Sequence, residues 1–156
     1  LALNPFASNR DEPAFLPHAT SNSEYNKAEF AARCAIDGNR ANKDVHGCGS
    51  WGPQKKPDLW WQLDFGRPVE IDKLVLWLRA AWGPPDNPHD SWWPEATVEF
   101  SDGSTEKLAL KKDPEGQSFP VRKRVVTWLK LKGLKPAEDR WCALCELEAW
   151  GRDAAK

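Results

Sequence analysis

The sequence has no methionine, one tyrosine, three histidines and no long apolar run. Its longest apolar stretch, Leu74 to Leu78, is strand length and far short of the ~20 residues of a membrane helix, so no membrane insertion is expected. An excess of one charge is also missing. There are 22 basic and 23 acidic residues, for a formal charge of -1. No global field therefore draws nucleic acid or an anionic bilayer. The cluster Arg122-Lys123-Arg124 is too short for a binding patch and reads as an exposed edge. Nor is there a Gly-x-Ser-x-Gly, a His-Glu-x-x-His or a phosphate-binding loop. No two of His18, His46 and His89 stand at metal-binding spacing. Acidic residues are many, but no pair is singled out as a glycosidase couple. Catalysis is not expected. The lack of Met at position 1 and of a signal-peptide pattern fits a mature fragment or a module excised from a longer protein.

Four cysteines are present. Cys142-Ala-Leu-Cys145 has CxxC spacing, but Cys34 and Cys48 are too far apart to supply the second pair of a zinc site. The CxxC lies inside an apparent strand and reads as two small buried hydrophobes. A Cys34–Cys48 disulfide is open on the sequence alone, so the redox compartment is not fixed.

What the chain does have is short apolar runs broken by turn residues, which argues for β structure. Leu59, Trp61, Leu63 and Phe65 alternate with polar or outward residues up to Gly66. Ile71 to Arg79 has the density of a strand buried on both faces. Ala96, Val98 and Phe100 alternate into Ser101-Asp102-Gly103-Ser104, a hairpin turn, and Lys107 to Lys111 returns. Val125, Thr127, Leu129 and Leu131 share one side of a further strand, and a last one runs from Ala143 to Trp150. Lys27 to Ile36 is the one segment read as a helix, with Gly38 past its end. The expected fold is an all-β antiparallel sandwich with one short helix. It spans residues 18–152, after a linker or extension over 1–17 and before a tail at 153–156. Two segments, Asn39 to Asp58 and Ala80 to Pro94, do not read as strands, and long structureless loops are often functional. They hold Trp51, Trp82, Trp92 and Trp93, four of the ten tryptophans, and two of the three histidines.

The order of segments carries a resemblance. Ala35-Ile36-Asp37-Gly38-Asn39 is followed by Trp51 and by Leu59-Trp60-Trp61-Gln62-Leu63-Asp64-Phe65-Gly66. Ile71-Asp72-Lys73-Leu74-Val75-Leu76, Phe100-Ser101-Asp102-Gly103-Ser104 and Glu146-Leu147-Glu148-Ala149-Trp150-Gly151 complete the set. Together they resemble the coagulation factor 5/8 type C (discoidin) family. Within it, the chain is similar to the family 32 carbohydrate-binding modules of bacterial glycan-degrading enzymes. The resemblance implies an eight-stranded jelly roll of the galactose-binding type, with ligand contact through loops at one end. It implies a structural Ca2+ held by oxygen ligands, here Asp37, Asn39, Asn42 and Glu146. It also implies a secreted or cell-surface setting, part of a multidomain bacterial protein, and galactose-type sugars as the default ligand. Two features depart from the pattern: the loops carry more tryptophan than usual, and Cys34 and Cys145 replace other residues.

Sugar recognition needs a flat apolar face for the C–H side of a pyranose and directional polar groups for its hydroxyls. The segment from Arg79 to Trp93 offers both in Arg79, Trp82, His89, Asp90, Trp92 and Trp93. Four prolines in Ala80 to Pro94 limit loop entropy. Trp51 and His46 in the other loop complete the candidates. Such a loop can also simply close the open end of a barrel, and Trp92 and Trp93, being adjacent, cannot both face inward. Trp93 is the one expected to turn toward the core. The function expected is a non-catalytic carbohydrate-binding module. The alternative is a discoidin domain for protein interaction or adhesion that binds no sugar.

Overall fold

A computed structural model gives the structure of the protein and describes residues 16–41, 48–80 and 82–154. Residues 1–15 of the expected linker, the last two of the tail, Asn42 and His46 lie outside the described residues. Among the described residues six strands follow in order: β1 (His18–Ser21), β2 (Trp60–Leu78), β3 (Glu95–Phe100), β4 (Thr105–Ala109), β5 (Gln117–Lys132) and β6 (Leu144–Asp153). Every pairing between them is antiparallel.

The two long strands make the sandwich. The first part of β2, Trp60 to Asp64, lies between β1 and the end of β5, and β5 continues the layer to β3 and β4. The second part, Val69 to Leu78, lies between β6 and the start of β5. The register breaks between Asp64 and Val69, where β2 passes from one layer to the other. Six continuous strands thus give eight straight spans, the number implied by the resemblance. The chemistry of the bend is local. Asp64 Oδ1 accepts the Gly66 N–H at 2.8 Å, Gly66 sits at φ 70, and a Cβ there would come within 2.1 Å of Leu16. Pro68, which has no N–H, follows two residues on. Between the layers lies one core, with Trp61, Leu63, Phe100, Leu129 and Leu131 facing Leu74, Leu76, Leu78 and Leu147.

Three local expectations are corrected. Lys27 to Ile36 is not an α-helix but two 3₁₀ turns, Ala28–Phe30 and Ala32–Ala35. Ala31 between them is extended (φ -66, ψ 157), because the alanines are pulled into packing and the Ala32 N–H is taken by Glu24 Oε1 at 2.7 Å. Gly38 does have the positive φ (86) of a chain reversal. Ile71 to Arg79 is buried on one face only: Leu74, Leu76 and Leu78 are inside, whereas Val75 and Trp77 are half-buried, Trp77 with the Arg40 guanidinium over its ring. Val125 and Thr127 are exposed and Val126 is buried, because the register of β5 breaks before Trp128 and inverts the alternation.

Cys34 and Cys48 are joined in a disulfide, whereas Cys142 and Cys145 are buried thiols. The bond closes a loop across 14 positions. A loop of that length is worth about 3 kcal/mol in the chain-entropy account. Reduction is expected to lower the thermal midpoint by roughly 6–12 °C, and an unchanged midpoint in reductant would refute this.

Candidate functional site

Antiparallel connections bring the chain after β1, after β2 and before β6 to one pole, where they form a cleft of about 420 Å³. That lies within the usual range for small-ligand sites. Its polar wall comes from the segment after β2. Arg79 forks onto Asp90, with Nε to Oδ2 at 2.8 Å and Nη2 to Oδ1 at 3.0 Å. Asp90 is fully buried, and its Oδ1 also lies 2.7 Å from His89 Nδ1. A carboxylate so placed holds the His89 proton on Nδ1 and leaves Nε2 as an acceptor. The His89 side chain is 49% exposed and lines the cleft. Asp90 itself is fully buried behind the cleft wall and acts by orienting its two neighbours.

The turn from Trp82 to His89 is fixed. The His89 N–H donates to the Trp82 carbonyl at 2.8 Å, and Gly83 has φ 100. A Cβ at Gly83 would stand 2.7 Å from the His89 nitrogen. Arg140 Nη1 donates to the Pro88 carbonyl. Trp82 is 52% exposed at the lip. The apolar wall comes from the other two connections. Tyr25 stands edge-on to Trp141 at 5.5 Å and to Phe30 at 5.8 Å. The base is tied to the fold, since the Ser91 N–H donates to the Trp141 carbonyl at 2.7 Å.

Of the candidate residues, the structure gathers Arg79, Trp82, His89 and Asp90 at this cleft. Trp51 and Trp93 are not on it. They are 0% and 2% exposed and stack on each other at 5.7 Å in the core. Trp51 Nε1 donates to the Ser23 carbonyl at 2.9 Å. Trp92 is half-buried and turned from the cleft, with Lys112 5.3 Å from its ring centre. Tyr25, Phe30 and Trp141 were missed. Their only signal lay in topology, because the loops that carry them end at the same pole.

Cys142 lines the cleft as a thiol, and burial pushes its pKa up to about 12, against a lowering hydrogen bond with Ser91. Iodoacetamide at pH 8 is expected to leave it unmodified in the folded protein and to label it after denaturation. Mass spectrometry checks this, and rapid labelling of the folded form would contradict it.

Away from the residues that line the cleft, the turn at Gly38 joins Asp37 and Asn39 to Glu146 of β6. Asp37 Oδ1 accepts the Asn39 N–H at 2.8 Å. Glu146 is fully buried, and its Oε2 accepts the Gly38 N–H at 3.1 Å while its Oε1 has no hydrogen-bond partner. Burial pushes the Glu146 pKa up to about 8; the Gly38 N–H opposes this, and the charges of Asp37 and Glu148 add to it. Glu148 is engaged by Arg40 Nε at 2.9 Å and by Trp150 Nε1 at 2.9 Å. Among the described residues no three His, Cys, Asp or Glu side chains gather closely enough to hold a metal by themselves. The donor type nevertheless fits a hard cation. A buried carboxylate oxygen without a partner, with a second carboxylate nearby, is what such an ion would satisfy.

The F5/8 type C domain model matches residues 18–147. No curated protein matches the chain in sequence. Several solved structures share the fold. The family 32 carbohydrate-binding module of C. perfringens NanJ, in complex with galactose, is 11% identical with a TM-score of 0.62, over 84% of this chain and 90% of that one. The lectin domain of Lectinolysin, complexed with Lewis B antigen, is 18% identical with a TM-score of 0.66, over 89% and 94%. Chitosan-binding module 1 from the chitosanase/glucanase of Paenibacillus sp. IK-5 is 17% identical with a TM-score of 0.64, over 86% and 95%.

Proposed function

This chain belongs to the F5/8 type C domain family, and from that premise we propose that it is a non-catalytic carbohydrate-binding module whose site is the cleft at Arg79 and His89. The observation that carries the reading is the buried Asp90 carboxylate. It fixes Arg79 and His89 in place beside the exposed ring of Trp82. Arg79 Nη1 donates to one sugar hydroxyl, His89 Nε2 accepts from another, and an aromatic face covers the C–H side of the ring. Arg79 and His89 are held by Asp90 before a ligand arrives, so little ordering cost for those two side chains opposes association. Structural relatives that bind galactose and Lewis B antigen support a sugar as the ligand class. The Cys34–Cys48 disulfide supports an oxidising, extracellular or cell-surface setting. There the module would hold a larger protein on a glycan.

We also propose a structural Ca2+ at Glu146 and Asp37, with the side-chain oxygen of Asn39 and backbone carbonyls as further ligands. The ion would neutralise the buried Glu146 carboxylate and pin the turn at Gly38 to β6.

Calorimetry with galactose and a short galactoside panel tests the site. His89→Ala is expected to lose measurable binding, because the acceptor and the orienting bond to Asp90 go together. Trp92→Ala is expected to bind as the parent does. Retained binding in His89→Ala would refute the assignment.

A further inference from the structure

Trp82 and Arg79 line not one cleft but two. On the far side of Trp82 lies a second hollow of about 660 Å³, bordered by Arg40, Trp77, Glu115 and Gly116. Trp82 is the common wall. Its indole is 52% exposed and makes no ring contact or hydrogen bond with any described residue. The turn that carries it is held by the His89 N–H on the Trp82 carbonyl, so the exposed ring is presented to both hollows.

The second hollow has its own binding chemistry. The Trp77 ring is half-buried, with the Arg40 guanidinium 4.6 Å from its centre. Gly116 packs directly against the ring edge, since a Cβ there would stand 2.6 Å from the indole. Any side chain at 116 would crowd that edge. Arg40 Nε and Nη2 are held by Glu148, which leaves Nη1 as a donor; Glu115 supplies acceptors, and the part of the Trp77 ring not under Arg40 supplies apolar surface. These are the requirements already met in the first cleft.

We propose that the site takes an oligosaccharide rather than a single sugar, with one unit in the His89 cleft and the next beyond Trp82, against Trp77 and Glu115. This rests on the carbohydrate-binding reading above. Because the two hollows meet at one wall, neighbouring units of the same glycan fill them without new loop movement. The second unit then binds with the cost of association already met by the first.

The test is calorimetry of the intact chain with galactose, GalNAc-β-1,3-galactose, the Lewis b oligosaccharide and chitosan tetramer. At least one oligosaccharide is expected to bind about tenfold tighter than galactose. Trp77→Leu and Glu115→Ala should erase that gain and leave galactose affinity unchanged, whereas His89→Ala should weaken both. Glu115 is exposed, so its variant stays informative if Trp77→Leu misfolds. Equal affinity for galactose and every oligosaccharide would overturn the two-unit site and leave the first cleft standing. So would a gain that survives in Glu115→Ala. Absence of binding to all four probes would overturn both readings.

Discussion

Asp90→Ala is expected to destabilise the domain by about 3–5 kcal/mol and to abolish sugar binding together. The Arg79 side chain is only 9% exposed, and Asp90 is its carboxylate partner through two bonds. Removing the carboxylate leaves a buried guanidinium without compensation and releases His89 from its orientation. Asp90→Asn keeps the volume and one acceptor, so it should lose less stability. Replacing both partners, as Arg79→Met with Asp90→Leu, should recover much of the stability, because no charge is then stranded. It should not recover binding, since the donor and the orienting acceptor are both gone. Urea denaturation and calorimetry on the same variants separate the two roles. A stable Asp90→Ala that still binds sugar would contradict the account.

The second large effect is on pH and metal. With no cation bound, folded Glu146 holds its proton up to about pH 8, whereas the unfolded chain releases it near the ordinary 4.5. The native state therefore binds more protons across that window, and stability must fall as pH rises through it. The stabilisation is complete below the unfolded value and is lost once pH passes the folded one. Each tenfold difference in proton affinity between the folded and unfolded chain corresponds to about 1.4 kcal/mol, so several kcal/mol separate the two ends. A cation on the carboxylate competes with that proton. Excess Ca2+ should raise the thermal midpoint strongly at pH 8.5 and little at pH 5. Glu146→Gln should flatten the pH slope and remove the Ca2+ response. A midpoint that is level across pH in chelator and indifferent to Ca2+ would refute both the burial argument and the ion.

Strands were legible where one face is buried and the next wet. Leu59 to Phe65 and Ala96 to Phe100 alternate plainly, and each is a strand. The first half of β5 was not legible. Only Val121 among Gln117 to Arg124 is buried, and Pro120 sits within it, so no alternation marks it. This stretch pairs with β2, and among the described residues no strand pairs with its other side, which is where charge and proline are tolerated. The helical segment expected from the alanines is present as two 3₁₀ turns rather than one continuous helix, because local propensity yielded to packing and to the Cys34–Cys48 bond. At the site, the Arg79, His89 and Asp90 chemistry was readable because it lies within one loop. The Tyr25, Phe30 and Trp141 wall was not, since only the closure of the sandwich brings three separate connections together. Adjacent Trp92 and Trp93 do part company as extended backbone requires, and it is Trp93 that turns into the core.

Ten tryptophans give ten indole N–H signals, which makes the central claim directly measurable. In a 1H–15N titration with galactose, the indole signals of Trp82 and Trp141 should move together with the His89 ring, while those of Trp51, Trp92 and Trp93 stay fixed. Movement of the Trp92 signal with Trp82 and His89 unmoved, or no movement of any indole with any sugar, would contradict it.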